Sequence, residues 1–212
     1  MDLKQEIFDH VVNGDAPGTR ELTERAMKTG IPPDEILNEA LIAAMAEVGA
    51  RFERRDFFVP EMLVAARAMK VGADLLRPVL AGQGVKPLGT VLMGTVAGDL
   101  HDLGKNLVIM MLEGAGLRVI DLGIDQSPES FVQGIREHSP QIVGMSALLT
   151  TTMPAMKLTI EAIKEAGLRD EVIIMVGGAP VTQRYADQIG ADLYAPDASA
   201  AGRRAKEALT KH

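Results

Sequence analysis

Along the first 82 or so residues the apolar positions recur three and four apart. Leu37, Leu41, Met45, Val48 and Phe52 form one stripe, and Met62, Ala66, Met69, Ala73 and Leu76 form a second. That period belongs to a helix with one buried face. Pro32-Pro33 and Pro60 stand just ahead of the stripes, where a helix loses nothing by a missing amide donor. Two shorter helices are expected near 3–12 and 19–28, broken by Asn13-Gly14 and by Gly30. Four such helices cannot bury their stripes singly, so residues 1–84 are expected to pack as an antiparallel four-helix bundle.

From Gly89 the period changes. Short apolar runs at 90–96, 118–122, 141–145, 172–176 and 191–194 alternate with helical stretches near 104–116, 128–138, 153–167, 181–188 and 197–210. Nearly continuous apolar strands separated by helices imply a parallel sheet covered on both faces. Residues 88–212 are therefore expected to form a five-stranded, doubly wound α/β domain, flavodoxin-like or Rossmann-like. Such sheets hold ligands beyond the carboxyl ends of their strands, near the point where strand order reverses. This directs attention to the loops after the first, third and fourth strands.

Composition narrows the chemistry. The chain of 212 residues has no cysteine, which excludes disulfides, thiolate nucleophiles and cysteine-held metal clusters. A formal net charge of -7, with no concentrated basic face, argues against a nucleic-acid partner. No apolar run approaches the roughly 18–20 residues of a membrane span, and the opening MDLKQEIFDH is no signal peptide. A cytoplasmic location is expected. Of the four histidines, only His101 lies in a glycine-flanked loop.

That loop reads Gly98-Asp99-Leu100-His101-Asp102-Leu103-Gly104. The third strand runs into Ser146-Ala147-Leu148-Leu149-Thr150, and the fourth into Gly177-Gly178-Ala179-Pro180. Together they supply one imidazole, acids beside it, hydroxyls opposite, and glycines where something bulky approaches the backbone. A metal-binding histidine normally gives its second ring N–H to a carboxylate, and Asp99 is within reach of that role, with Ser146 placed to hold Asp99. Plainer readings exist: Asp99 and Asp102 as helix caps, Gly177-Gly178 as a tight turn, Ser146 as a further cap. A phospho-receiver domain shares the strand–helix alternation, but here the third strand ends in Gly144-Met145-Ser146, with no acid to phosphorylate.

Asp99-Leu100-His101-Asp102-Leu103-Gly104 resembles the Asp-x-His-x-x-Gly signature of cobalamin-binding domains that bind the cofactor base-off and histidine-on. Ser146-Ala147-Leu148 is similar to their Ser-x-Leu element, and Gly177-Gly178 to their glycine pair, at family-like spacing. The helical half, especially Phe58-Val59-Pro60-Glu61-Met62, resembles the cap of methionine synthase's cobalamin fragment, and the closing stretch 190–198 fits the same family. The whole layout is most similar to stand-alone corrinoid proteins of methanol, methylamine and O-demethylation systems.

The resemblance implies a cobalamin or related corrinoid whose cobalt is ligated by His101. Asp99 would bond His101, with Ser146 behind it. The motif would also bring Leu100, Asp102 and Gly104 to the cofactor. Gly177 and Gly178 would line a slot for the displaced nucleotide tail, with Ser146, Leu148 and Thr150 as its other wall. Phe58 and Met62 would cover the methyl-bearing face, and the segment 81–86 would act as a hinge. It further implies a methyl carrier, without turnover of its own, between a substrate methyltransferase and a second, acceptor methyltransferase, with a reductive activation protein as a possible further partner. A cobalamin-dependent sensor and the cobalamin subunit of a mutase are the competing functions. The sensor would want an output domain, and the mutase gives no reason for the helical half.

Overall fold

A computed structural model of the chain describes residues 2–82 and 86–210. The chain divides into two compact units, one comprising Met1–Pro87 with Gly114–Gly116, the other Leu88–Glu113 with Leu117–His212.

In the helical unit, α1 (Leu3–Val12) starts at Asp2, whose carboxylate accepts the Lys4 N–H. Helix α2 (Ala16–Lys28) starts at Asp15. It begins three residues earlier than expected because Pro17 sits in the first turn, where its missing N–H costs nothing. A single turn, α3 (Pro33–Glu35), leads through a π-type segment (Ile36–Ile42) into α4 (Ala43–Glu53), and α5 spans Val59–Gly82. The π-type winding changes which residues face inward. The expected stripe included Leu37 and Phe52, yet both are only half-buried, while Ile36, Ala40, Leu41, Met45 and Val48 form the core. Ile36 and Leu41 are five apart, the spacing that i→i+5 winding puts on one side, and α-helical spacing resumes after them. On α5, Met62, Ala66, Met69 and Leu76 are buried as expected, whereas Ala73 is half-buried. Small residues fill out that face: a Cβ on Gly72 would lie 2.9 Å from Leu41 Cδ2.

In the second unit the strands are β1 (Thr90–Val96), β2 (Arg118–Gln126), β3 (Ile142–Ser146), β4 (Ile173–Gly177) and β5 (Leu193–Ala195). All pair in parallel in the order β2-β1-β3-β4-β5. This is the flavodoxin-type order, with its reversal between β1 and β3. Helices α6 (Leu103–Gly114), α7 (Pro128–His138), α8 (Met153–Glu165), α9 (Gln183–Ile189) and α10 (Ala198–Thr210) intervene. Leu92, Val143, Met145, Ile174 and Val176 from the sheet pack with Phe131, Met156, Ile160 and Ile163 in one core.

Strand β2 runs well past the apolar stretch that marks it in the sequence. Its register against β1 shifts on either side of Gly94, so that Met93 pairs with Asp121 but Val96 with Gln126. The additional β2 residues include Gly123 and Asp125, both at positive φ. Bulging of this kind re-aims side chains at a strand end, and here it delivers Asp125 to the loop that follows β1.

Among the described residues, no helix is long and apolar enough to cross a membrane. The expected hinge at 81–86 begins on the last residues of α5 and continues over 83–85, which lie outside the described residues.

Candidate functional site

The loop after β1 is held at several points. Gly98 turns the chain at φ +79°, and its N–H donates to Asp125 Oδ1 at 2.7 Å. The Asp125 N–H returns to the Asp99 carbonyl at 3.1 Å. Thr95, fully buried on β1, donates its hydroxyl to the His101 carbonyl at 3.0 Å. The loop is thus fixed to the ends of two strands before any ligand is considered.

Asp99 is the centre of the arrangement. Its side chain is completely buried, and Oδ1 accepts both the His101 N–H at 3.0 Å and the His101 ring Nδ1 at 2.7 Å. Oδ2 accepts the Leu148 N–H and the Thr152 hydroxyl, each at 2.7 Å. Burial pushes this carboxyl up, but the donors from Thr152, Leu148 and His101 outweigh it and hold the group well below the usual carboxylate range. An ionised carboxylate only accepts, so Nδ1 carries a proton, and in the neutral ring Nε2 then keeps its lone pair. The His101 side chain is 49% exposed.

The same two bonds join the loops after β1 and β3, on either side of the strand-order reversal. Ser146 was expected to hold Asp99, but among the described residues no hydrogen bond ties its side chain to that carboxylate. The chain after β3 folds back through a Thr152 N–H bond to the Leu149 carbonyl at 3.1 Å, and this turn brings Thr152 to Oδ2 instead. Three consecutive threonines, Thr150, Thr151 and Thr152, precede α8; Thr150 is exposed while Thr152 is buried.

Asp102 sits immediately ahead of α6, where its carboxylate accepts the Asn106 side-chain amide at 3.3 Å. Lys105, which the sequence did not single out, is buried in the first turns of α6. Its Nζ donates to Asp121 Oδ2 on β2 at 2.6 Å and to Asn106 Oδ1 at 2.8 Å. Lysine is rarely buried unless paired, and only the sheet register reveals Asp121 as the partner.

The two glycines after β4 have a reason inside the protein. A Cβ on Gly178, at φ +131°, would lie 1.9 Å from the Ala147 carbonyl oxygen, and one on Gly177 would lie 2.8 Å from the Ala195 carbonyl oxygen. Close approach of neighbouring backbone requires them, whatever the volume a cofactor tail needs. Gly104 is the opposite case, with nothing within 4 Å of an added Cβ.

In the helical unit, Phe58 is exposed and its N–H donates to Glu61 Oε2 at 2.9 Å. Met62 belongs to the α5 core stripe and is 2% exposed. Protein encloses its side chain in this structure, which leaves Met62 little surface to offer a cofactor.

The residues around His101 can be tested against a corrinoid. Among the described residues there is no group of three or more His, Asp or Glu side chains able to hold a metal ion. A single imidazole backed by a carboxylate suits a metal held in a prosthetic group that brings most of its own ligands, because the protein would then need to supply only one donor. Leu100 and Leu103, at 67% and 65% exposure, flank His101 in sequence; Leu148 and Leu149, exposed to 43% each, belong to the loop tied to Asp99. Exposed leucines in such number, with open space at Gly104, fit a broad apolar ligand bound at this edge.

The model of the B12 binding domain family matches residues 89–202, and a second B12 binding domain model matches residues 3–77. The chain is 44% identical to dimethylamine corrinoid protein 3 of Methanosarcina acetivorans, over 98% of this chain and 97% of that one. It is also 44% identical to trimethylamine corrinoid protein 1 of the same organism, over 94% of this chain and 95% of the relative. Among solved structures, the methanol:cobalamin methyltransferase complex MtaBC from Methanosarcina barkeri superposes with a TM-score of 0.88 at 27% identity, covering 100% of this chain and 81% of that one. The monomethylamine corrinoid protein of Methanosarcina barkeri gives 0.56 at 34% identity, covering 95% and 96%.

Proposed function

The chain belongs to the corrinoid proteins built on B12 binding domains, and on that premise we propose that it is the methyl-carrying protein of a methylamine methyltransferase system, with His101 as the axial ligand of cobalt. The observation that carries the ligand assignment is the Asp99–His101 pair at the carboxyl edge between β1 and β3. Asp99 fixes both the backbone and the ring of His101 and sets the tautomer with Nε2 available for a metal.

The bound corrinoid supplies a cobalt centre that holds a methyl group and gives it up again. The chain's own residues bind and orient. Thr95 and Asp125 fix the loop, Asp99 holds the imidazole, and Leu100, Leu103, Leu148 and Leu149 offer apolar surface that excludes water around it. Asp99 would keep the imidazole of His101 oriented whether or not the ring were on the metal.

Dimethylamine and trimethylamine systems give the relatives their names, so secondary or tertiary methylamines are the donors to try first. The donor is handled by a substrate methyltransferase, and a second methyltransferase passes the methyl group to its acceptor. A reductive activation protein returns oxidised cobalt to the active state. The likeness to dimethylamine and trimethylamine corrinoid proteins over nearly the whole chain favours the carrier over the sensor and mutase-subunit readings.

The test is an EPR spectrum of the cobalt(II) form after reconstitution of the full chain with cobalamin. The protein carries histidine labelled with a nitrogen isotope, and His101→Ala is run alongside. Axial nitrogen splitting that follows the label and vanishes in the variant supports the assignment. Splitting from the cofactor's own benzimidazole overturns it.

A further inference from the structure

We infer that Asp125 is a positioning residue for the cobalt ligand, and that the bulged end of β2 acts as a brace for the loop carrying His101. The inference rests on the reading of His101 as axial ligand. Asp125 stands in the left-handed region at φ +52°, which a residue with a Cβ enters at a cost and glycine enters freely. Its side chain gives a reason for an aspartate there. Oδ1 accepts the Gly98 N–H at 2.7 Å, while the Asp125 N–H donates to the Asp99 carbonyl at 3.1 Å. One strained residue thus holds the backbone of both residues that lead into Leu100 and His101.

The brace reaches the far side of the loop as well. Asp121, earlier on β2, accepts the Gly123 N–H with Oδ1 at 2.8 Å and the buried ammonium of Lys105 with Oδ2 at 2.6 Å. Strand β2 therefore grips the stem before His101 through Asp125 and the stem after it through Asp121. Gly98, at φ +79°, has no side chain of its own to restrain it. Without the Asp125 bond, the first stem would be free to shift. The two aspartates nearest the ligand then divide the work: Asp99 orients the imidazole within the loop, and Asp125 places the loop on the sheet. An axial donor must meet its metal at bonding distance, so a displaced loop weakens ligation even where Asp99 still holds the ring.

The experiment is cobalamin titration of the full chain, with axial nitrogen read by EPR of the cobalt(II) form in protein carrying isotope-labelled histidine. Wild type, Asp125→Gly, Asp125→Asn, His101→Ala and the double variant His101→Ala with Asp125→Gly are compared. Asp125→Gly keeps the backbone conformation and removes the carboxylate. Its Kd for cobalamin is expected to rise roughly tenfold, the lower end for the outer partner of a metal ligand. Asp125→Asn restores most of the affinity, because its amide oxygen accepts the Gly98 N–H and asparagine also tolerates the left-handed region. In the His101→Ala background Asp125→Gly adds no further loss, since a residue that acts through the ligand has nothing left to act on. A second measurement needs no variant: the Gly98 amide of the cofactor-free wild type is expected to exchange slowly with deuterium. An unchanged Kd in Asp125→Gly, a loss that persists in the His101→Ala background, no rescue by asparagine, or rapid exchange at Gly98 overturns the inference and leaves the ligand assignment standing. Absence of the histidine splitting in wild type overturns the ligand assignment itself, and the inference with it.

Discussion

Asp99 grips His101 twice with one oxygen, accepting its backbone N–H at 3.0 Å and its ring Nδ1 at 2.7 Å, so the loop turn and the ring orientation are fixed by the same atom. Asp99→Asn cannot reproduce this. The carboxylate faces donors on both sides, and an amide offers one oxygen and one NH2 group, so a donor meets a donor whichever way the amide is flipped. Leaving a buried donor unsatisfied costs about 1–3 kcal/mol. Asp99→Asn is therefore expected to lower the unfolding free energy of the cofactor-free chain by that amount in denaturant titration, and also to change the potential of the loaded protein. Full stability with an altered potential would mean that the loops are held by something other than Asp99.

The strands and the helical half were legible from hydrophobic period alone, because buried strands and amphipathic helices leave different repeats, while the loop after β1 stood out by its glycine-flanked His101. Several details were not legible. The π-type segment moves the buried position from Leu37 to Ile36, and an α-helical template cannot anticipate a local change of winding. The partner of Asp99 was misread because the motif draws the eye to Ser146, while the choice between Ser146, Thr150 and Thr152 depends on how the chain turns after β3. Lys105 escaped notice for a similar reason: nothing in its neighbourhood in sequence announces Asp121, which the β2 register supplies.

Lys105 and Asp121 make an unequal pair. The Lys105 side chain is 3% exposed, whereas that of Asp121 is 42% exposed. Removing the lysine in Lys105→Met leaves an aspartate that water can solvate, so the cost should be small, about 1 kcal/mol or less. Removing the acid in Asp121→Asn leaves a buried ammonium with poorer acceptors, which is expected to cost more, about 2 kcal/mol. Chemical denaturation of the two variants checks the order. Equal losses would show that the pair is a surface contact and does not fix the start of α6.

Asp15 supplies a pH test in the helical unit. Its carboxylate accepts the Gly18 N–H at 3.0 Å and meets His10 Nδ1 at 2.8 Å, and these, the Gly18 bond first, hold it below the usual carboxylate range. A carboxyl with a lowered folded value stabilises the fold above the unfolded value of about 4 and loses that contribution as pH falls through the folded value. Asp15→Ala should therefore lower the Tm of the full chain at pH 7, with the gap to wild type closing under acid. Asp15→Asn, which can still cap the helix, should fall between the two at neutral pH. A gap that persists unchanged in acid would assign the loss to the helix start alone and not to the charge.

Gly178 and Gly104 separate a glycine needed by the fold from one available to a ligand. At Gly178 an added Cβ would lie 1.9 Å from the Ala147 carbonyl oxygen at a φ of +131°. Gly178→Ala must then displace the backbone beside Leu148, whose N–H holds Asp99, and a loss of about 2 kcal/mol or more is expected. At Gly104 an added Cβ meets nothing within 4 Å, and the residue lies in the first turn of α6. Gly104→Ala should leave the cofactor-free chain as stable as wild type or raise it by up to about 1 kcal/mol, since alanine is the better helix former. If a broad ligand covers the open space beside His101, the same methyl group should weaken cobalamin binding. Thermal melts of the cofactor-free chain and cobalamin titrations of both variants separate the cases. Gly104→Ala with stability and cobalamin affinity both intact would move the ligand away from the start of α6, and Gly178→Ala with neither changed would show that the loop after β3 can yield where its backbone contact is tightest.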